Sequence, residues 1–224
     1  MPPKFKFTKD EIITAAFETV RERGEDALTA REVAKKLGSS SSPIFTVFAD
    51  MGELKGEVRK RAKALFDDYM KVALDFTPAY KMRGMQWIKF AKNEPLLFRL
   101  LFMQDMGKDS NFDSSIEEIP FGKEDDIEII MKDYNATAEQ AETMFRQMWI
   151  YTYGMCVLSA CGVCSFSDKE IAVGLGAAFR GAVHVILSNE EGKAGVFPEK
   201  RDEPKGIEII KNHTDLRKNG FKED

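Results

Sequence analysis

The sequence predicts an all-α protein of about nine helices, and two observations carry this prediction. Four Ser or Thr residues stand three positions before a Glu or Gln, as in the reciprocal capping box that begins helices; they are Thr8, Thr29, Thr137 and Ser167. Each precedes apolar residues spaced three and four apart, which is the period of one helix face. No stretch reads as two strands joined by an Asn-Gly or Asp-Gly turn. We therefore expect helices and no sheet.

The elements follow in order from these signals. We expect helices at about 8–23, 29–37, 41–48, 51–75, 78–92, 95–106, 122–134, 137–163 and 167–189. The pair Thr77-Pro78 predicts a cap followed by proline at the first helical position. Residues 107–121, which contain Gly, Ser, Asn and acidic residues, are predicted to form a loop, and residues 190–224 a charged tail.

The first fifty residues contain three short predicted helices with apolar residues that should face inward. These are Ile12, Ile13, Ala16, Phe17, Val20, Val33, Ala34, Leu37, Ile44 and Phe48. Gly24 is expected to end the first helix, and Gly38 to permit a sharp turn after the second. A helix, a glycine turn and a short helix are the sequence form of a helix-turn-helix, which places a recognition helix in the major groove. We therefore expect residues 1–50 to bind double-stranded DNA.

Over about fifty residues the chain resembles the TetR family of transcriptional regulators. The matching positions are Ile12 to Phe17, Gly24, Leu28 to Ala34, Leu37 to Ser40, Ile44 to Phe48 and Glu53-Leu54. The resemblance implies a homodimer whose DNA-binding domain precedes a helical ligand-binding and dimerisation domain, here residues 51–189. It also implies a repressor that a small-molecule effector releases from an inverted-repeat operator, although the residues themselves leave repression and activation open.

The recognition segment departs from that family, which often has Tyr, His and Lys at the positions of Phe45, Val47 and Met51. Residues 39–47 contain no Arg or Lys, so bidentate recognition of guanine by this helix is not expected. The predicted DNA contacts are Thr29, Lys36, Ser39, Ser40, Ser41, Ser42, Phe45, Thr46 and Lys55. The lysines flank the third helix, and the alternative is that they are solvated surface charges.

The larger domain is rich in methionine and aromatic residues, which can line an adaptable apolar cavity or simply form the core. The residues predicted to bind a ligand are Trp87, Phe98, Phe102, Met103, Met148, Tyr151 and Met155. An apolar or amphipathic effector fits such a cavity best, and the sequence leaves its identity open. No cofactor is predicted.

Small residues in the last two helices allow their backbones to approach another helix closely. The predicted dimer interface contains Gly154, Gly174, Ala177, Ala178 and Gly181. A two-fold arrangement of four helices would bury them. The alternative is a helix pair inside a monomer.

Cysteine, histidine and acidic residues indicate no metal site and no enzyme. Cys156, Cys161 and Cys164 are interpreted as buried packing residues, with a redox-sensing pair Cys161/Cys164 as the alternative. The two histidines do not complete a zinc site. The acidic run from Glu124 to Glu128 is interpreted as the solvated start of a helix. No nucleophile–base pair or glycine-rich phosphate loop is visible.

Composition excludes some classes of protein. A net charge of −4 argues against non-specific coating of nucleic acid. Residues 147–167 are uncharged and long enough to span a bilayer, but polar residues interrupt them and favour a buried helix over a membrane protein. Three cysteines and no signal peptide favour the cytoplasm.

Two alternative functions remain open. One is a ligand-binding or thiol-responsive helical protein with weakened or lost DNA binding, and the other is an enzyme on a helical scaffold.

Overall fold

The computed structural model describes residues 7–104 and 122–187, and every regular element in them is helical. The α-helices are α1 (Lys9–Arg23), α2 (Ala30–Lys36), α3 (Ser42–Phe45), α4 (Met51–Lys71), α5 (Ala79–Asn93), α6 (Pro95–Phe102), α7 (Lys123–Tyr134), α8 (Ala138–Ala160) and α9 (Asp168–Leu187). Short 3-10 turns at Glu25–Ala27 and Val72–Asp75 follow α1 and α4. The all-α prediction is confirmed for these residues. The predicted loop at 107–121 and tail at 190–224 lie outside them.

Side-chain caps begin three helices at the predicted capping boxes. Both bonds of the box form at Thr8–Glu11, Thr137–Gln140 and Ser167–Glu170. At Thr29 only half of the box forms, because its hydroxyl accepts from the Glu32 amide at 3.3 Å while the Glu32 carboxylate pairs with Arg23. Local capping chemistry therefore explains most of the helix starts.

The predicted cap at the start of α5 is wrong. Pro78 occupies the capping position, so the helix begins one residue later than Thr77-Pro78 suggests. The Ala79 amide instead donates to the Asp133 carboxylate of α7 at 2.9 Å. This cap comes from a residue 54 positions away, and a local sequence pattern does not contain it.

Several predicted helices are shorter than expected. α4 ends at Lys71 and continues to Asp75 as a 3-10 turn, and α6 ends at Phe102 rather than residue 106. α3 spans four residues rather than 41–48, and the amides of Val47 and Phe48 continue it as a turn onto the Ile44 carbonyl. α8 ends at Ala160 rather than residue 163, and Gly162 has a φ of 68°, which turns the chain. The uncharged stretch 147–167 is therefore divided between a helix and a turn. No helix among the described residues is long and apolar enough to cross a membrane.

A continuous hydrophobic core joins the first three helices to the rest of the described chain. Ile12, Val33 and Ile44 are fully buried between α1, α2 and α3. α4 packs against α1 and also against α5 and α6, and its Phe66 ring lies 5.2 Å from that of Phe90 and 5.0 Å from that of Phe102. α5 is central, since it contacts α4, α6, α7, α8 and α9. The division of the chain at residue 50 stays a prediction.

Candidate nucleic-acid interface and ligand cavity

The segment 39–46, which contains α3, presents hydroxyl groups and one large ring at its surface. Ile44 and Phe48 anchor the helix in the core. Phe45 is 50% exposed, and the hydroxyls of Ser40 and Ser42 lie on exposed residues on the same side of the core. These are the features expected of a segment that contacts a partner through hydroxyl groups and one apolar side chain.

The remaining predicted contacts of this segment have mixed environments. Ser39 and Ser41 are half-buried. Thr46 is exposed, and its hydroxyl donates to the Pro43 carbonyl at 2.7 Å, so only its lone pairs remain available to a partner. Thr29 uses its hydroxyl oxygen to cap α2. The surface therefore offers the hydroxyl groups of Ser40 and Ser42, the acceptor lone pairs of Thr46 and the apolar area of Phe45.

Both predicted lysines form ion pairs within the chain. Lys36 Nζ lies 2.7 Å from Glu22 Oε1, and Lys55 Nζ lies 3.8 Å from Glu25 Oε1. Arg31 and Lys35, which the sequence reasoning did not select, are exposed on α2 and form no ion pair with a described carboxylate. The sequence could have indicated this pair, because a spacing of four residues places both side chains on the helix face opposite buried Val33.

A forked ion pair attaches α1 to the start of α6. Arg21 Nε donates to Glu94 Oε2 at 2.8 Å, and Nη2 donates to Oε1. The Glu94 side chain is 8% exposed and that of Arg21 42%. The Glu94 carboxylate raises the pKa of Arg21, so the guanidinium stays charged. This fork links the amino-terminal helices to the helices that carry the cavity described next.

A cavity of about 220 Å³ lies among α5, α7, α8 and α9. Its apolar lining is mostly aromatic: Tyr80, Trp87, Tyr134, Phe145, Trp149 and Phe179, with Met148 and Leu175. Gly84 lets α5 approach α9, because a Cβ there would lie 3.2 Å from the Leu175 side chain. The four helices thus form a small enclosure for an apolar group.

Two of the seven predicted ligand-binding residues, Trp87 and Met148, line this cavity. The other five do not: Phe98, Phe102 and Met155 are buried in the core, and Met103 and Tyr151 are exposed. Composition identified the right class of side chain, whereas the phase of each helix decides which side chains reach the cavity. Phe98 and Phe102 instead pack against each other, with ring centroids 5.1 Å apart.

An ion pair inside the cavity wall corrects the interpretation of the acidic run. Asp126 is 1% exposed and pairs with Arg83 of α5, so it is not part of a solvated helix start. It lies one turn before fully buried Ile130, and the same helix face carries both side chains inward. Burial raises the pKa of Asp126 to about 7, against the lowering effect of Arg83. Burial likewise raises the pKa of Tyr80.

Three of the small residues predicted for the dimer interface lie on the exposed surface of α8 and α9. Gly154, Ala177 and Gly181 are exposed. Ile150 and Val173, at 57% and 60% exposure, stand one turn before Gly154 and Ala177. The spacing of four residues on each helix produces an exposed apolar stripe.

The other two small residues serve contacts within the chain. A Cβ at Gly174 would lie 2.8 Å from the Tyr151 hydroxyl, so this glycine permits α8 and α9 to pack together. Ala178 is half-buried against the core. The small residues of α9 therefore differ in environment: Ala177 and Gly181 are exposed, whereas Gly174 and Ala178 pack within the chain.

The interpretation of all three cysteines as buried is wrong for two of them. Cys156 is buried, and burial raises the pKa of its thiol. Cys161 and Cys164 are exposed and free because α8 has ended before them. Within residues 7–104 and 122–187, no group of three or more His, Cys, Asp or Glu side chains is placed to hold a metal ion.

A solved structure has a similar arrangement of helices. It is a crystal structure from Mesorhizobium loti that is provisionally assigned to the TetR family of transcriptional regulators, and it matches with a TM-score of 0.52. The chain has the TetR fold. The match covers 79% of this chain and 95% of the other at 19% identity, so the likeness establishes the fold alone. No family model matches the sequence, and no curated protein matches it.

Proposed function

We propose that the protein is a ligand-responsive, DNA-binding transcriptional regulator that acts as a homodimer on an inverted-repeat operator. The observation that carries this proposal is the presence, in one TetR fold, of an exposed segment 39–46 with hydroxyl groups and the Phe45 ring, and of an aromatic cavity. The first suits contact with a partner, and the second suits a small effector. The repressor role follows the direction that the family resemblance implies.

DNA recognition in this proposal uses α3 and its flanks. Ser40, Ser42 and Thr46 offer hydroxyl groups to base edges, and the exposed ring of Phe45 suits apolar contact with a thymine methyl. Because Lys36 and Lys55 are already paired with carboxylates, Arg31 and Lys35 are the better candidates for phosphate contact. Sequence-dependent DNA shape would supply the remaining specificity.

Dimerisation in this proposal uses the exposed stripe of α8 and α9. Two copies related by a two-fold axis would bury Ile150, Gly154, Val173, Ala177 and Gly181 against each other. A dimer would present two recognition helices to half-sites about 34 Å apart. The effector then needs a coupling of only about 1–3 kcal/mol to change operator affinity about 5- to 150-fold.

The decisive test is the selection of genomic fragments by purified protein at about 150 mM salt, followed by sequencing. We expect an enriched inverted repeat. Phe45→Ala should weaken binding to that repeat about tenfold, since it removes an exposed apolar contact worth roughly 1–2 kcal/mol. Phe76→Ala is the matched control, because Phe76 is 47% exposed but lies outside the recognition segment.

A ligand-binding or thiol-responsive protein with lost DNA binding is the second candidate. It is favoured by the absence of Arg and Lys from residues 39–47 and by the exposure of Cys161 and Cys164. This candidate would be supported over the regulator if no repeat is enriched and if Phe45→Ala and Phe76→Ala bind unselected DNA equally weakly.

A further inference from the structure

Two cationic side chains converge at the solvent end of the cavity. Lys81 of α5 and Arg180 of α9 are exposed and line it. A Cβ at Gly176 would lie 3.5 Å from both Lys81 Nζ and Arg180 Nη1, so the two charged groups are at most about 7 Å apart. Neither forms an ion pair with a carboxylate in residues 7–104 or 122–187. An anion bound here would relieve their mutual repulsion.

The interior beyond these cations favours a flat apolar group. The rings of Trp87 and Trp149 lie 5.8 Å apart, centroid to centroid, and both line the cavity together with Phe145 and Phe179. A dry cavity of about 150 Å³ accommodates benzene, and pockets for drug-sized ligands usually measure about 300–1,000 Å³. The observed 220 Å³ therefore suits one aromatic ring with a short substituent.

Charge decides between an anionic and a cationic ligand. The lining contains three cations, Lys81, Arg83 and Arg180, and one acid, Asp126. Arg83 and Asp126 already pair with each other in the wall, which leaves Lys81 and Arg180 to give the lining a net positive charge. A cationic ligand would have to displace Arg83 and approach the other two.

We propose that this cavity binds a small aromatic carboxylate, with its ring between the helices and its carboxylate at Lys81 and Arg180. The inference rests on the proposed ligand-responsive function and specifies the chemical class of the effector. It adds two specificity residues at the entrance, neither of which the apolar pattern of the sequence indicated. Aromatic walls select the ring, and the paired cations select the negative charge.

The protein contains its own reporter for this test. Its two tryptophans, Trp87 and Trp149, both line the cavity, so intrinsic fluorescence follows occupancy directly. The probes are benzoate, phenylacetate and 3-phenylpropanoate, each compared with its neutral amide of nearly the same shape. We expect at least one acid to saturate the fluorescence change and to bind ten or more times tighter than its amide.

Charge-removing variants identify the groups that cause this preference. The double variant Lys81→Gln/Arg180→Gln should bind acid and amide about equally and keep its melting temperature, because both residues are exposed. Lys89→Gln is the control, since Lys89 is exposed on the same helix but does not line the cavity. The proposal is overturned if no acid binds tighter than its amide, or if the double variant keeps the preference.

Operator binding separates this inference from the proposed function. A protein that binds its selected repeat, yet prefers no acid over its amide, remains a regulator while the aromatic carboxylate is rejected. A protein that prefers the acid but selects no repeat keeps the ligand site and loses the regulator function. If the preferred acid releases the wild-type protein from the repeat but does not release the double variant, both the ligand site and the regulator function are supported.

Discussion

Several arginine–carboxylate pairs join helices that are distant in the sequence, and the environments of two of them, Arg21–Glu94 and Arg83–Asp126, differ. Arg21 and Glu94 form a two-bond fork with the guanidinium 42% exposed. Arg83 and Asp126 are both almost completely buried, and the pKa of Asp126 is raised to about 7 by that burial. The half-solvated fork keeps its charges at little desolvation cost, whereas burial penalises the charged form of Asp126 and makes its carboxyl hold a proton more tightly.

The difference suggests different purposes for the two pairs. The fork fixes α1 against the start of α6, where two bonds define the geometry. The buried pair lies in a cavity wall, where two apolar residues of similar size would avoid the desolvation cost of burying charges. A costly polar pair facing an enclosed space is typical of a site that is used for binding. The predictions below test this distinction.

The largest expected effect is the loss of Asp126. Asp126→Ala leaves Arg83 buried without its carboxylate, and an arginine cannot lose its charge. We expect the free energy of unfolding to fall by about 3–5 kcal/mol, measured by urea denaturation at pH 7. Asp125→Ala on the neighbouring exposed residue is the control and should change it by less than about 0.5 kcal/mol. A similar small change in both variants would show that Arg83 does not depend on Asp126.

The second effect is a dependence of stability on pH. The pKa of Asp126 is about 7 in the folded protein, against an ordinary value of 3.8. Between these values the folded state holds a proton that the unfolded chain releases, so stability is greatest at low pH and is lost as the pH rises towards 7. We expect the titration of Asp126 to lower the free energy of unfolding by about 2–4 kcal/mol over that range.

The contribution of Asp126 has to be isolated from that of other acids. Glu11 and Glu170 have lowered pKa values because they accept hydrogen bonds from Thr8 and Ser167, and they act in the opposite direction. The measurement is therefore the difference between the wild type and Asp126→Asn in denaturation curves at pH 4.5 to 8. Equal pH profiles for the two proteins would contradict the raised pKa.

The fork should have a smaller effect because water reaches the Arg21 guanidinium. Arg21→Met is expected to cost about 1–2 kcal/mol, mainly because Glu94 is left buried. Arg23→Met is the matched control two residues along α1, since its partner Glu32 belongs to an exposed pair, and it should cost less than about 0.5 kcal/mol. Thermal denaturation of both variants measures the difference, and equal losses would remove the special role of the fork.

The smallest effect concerns an acid that is satisfied by backbone amides. Asp133 lies on the same helix as Asp126 but caps α5 through the Ala79 amide at 2.9 Å. Asp133→Ala should cost about 1 kcal/mol, which is typical of a lost helix cap. Adding Thr77→Ala should cost nothing further, because Thr77 does not provide the cap. A loss on Thr77→Ala equal to that on Asp133→Ala would restore the local cap predicted from the sequence.

Much of the fold could be predicted because helix starts and apolar faces are encoded locally. The caps at Thr8, Thr137 and Ser167 each involve residues three positions apart, and all three form as predicted. The cap of α5 could not be predicted, since it depends on α7 folding back beside α5.

The cavity was predictable in kind but not in detail. A surplus of aromatic and methionine residues indicated an apolar site, yet only Trp87 and Met148 of the predicted residues line it. Arg83 and Asp126 were missed because charged residues are usually assigned to the surface when their partner is distant in sequence. Their partnership requires α5 and α7 to be adjacent, which is a property of the tertiary structure.

The length of α4 sets the scale of any movement at the amino-terminal end of the protein. Its 21 residues extend about 31 Å, and about 22 Å of that length separates Met51, at the α3 end, from the aromatic rings around Phe66. A tilt of about 8° about Phe66 would displace Met51 by about 3 Å, which is close to the rise of one base pair. If the protein binds DNA as proposed, such a tilt in each protomer would shift its recognition helix by about one base-pair step along the duplex.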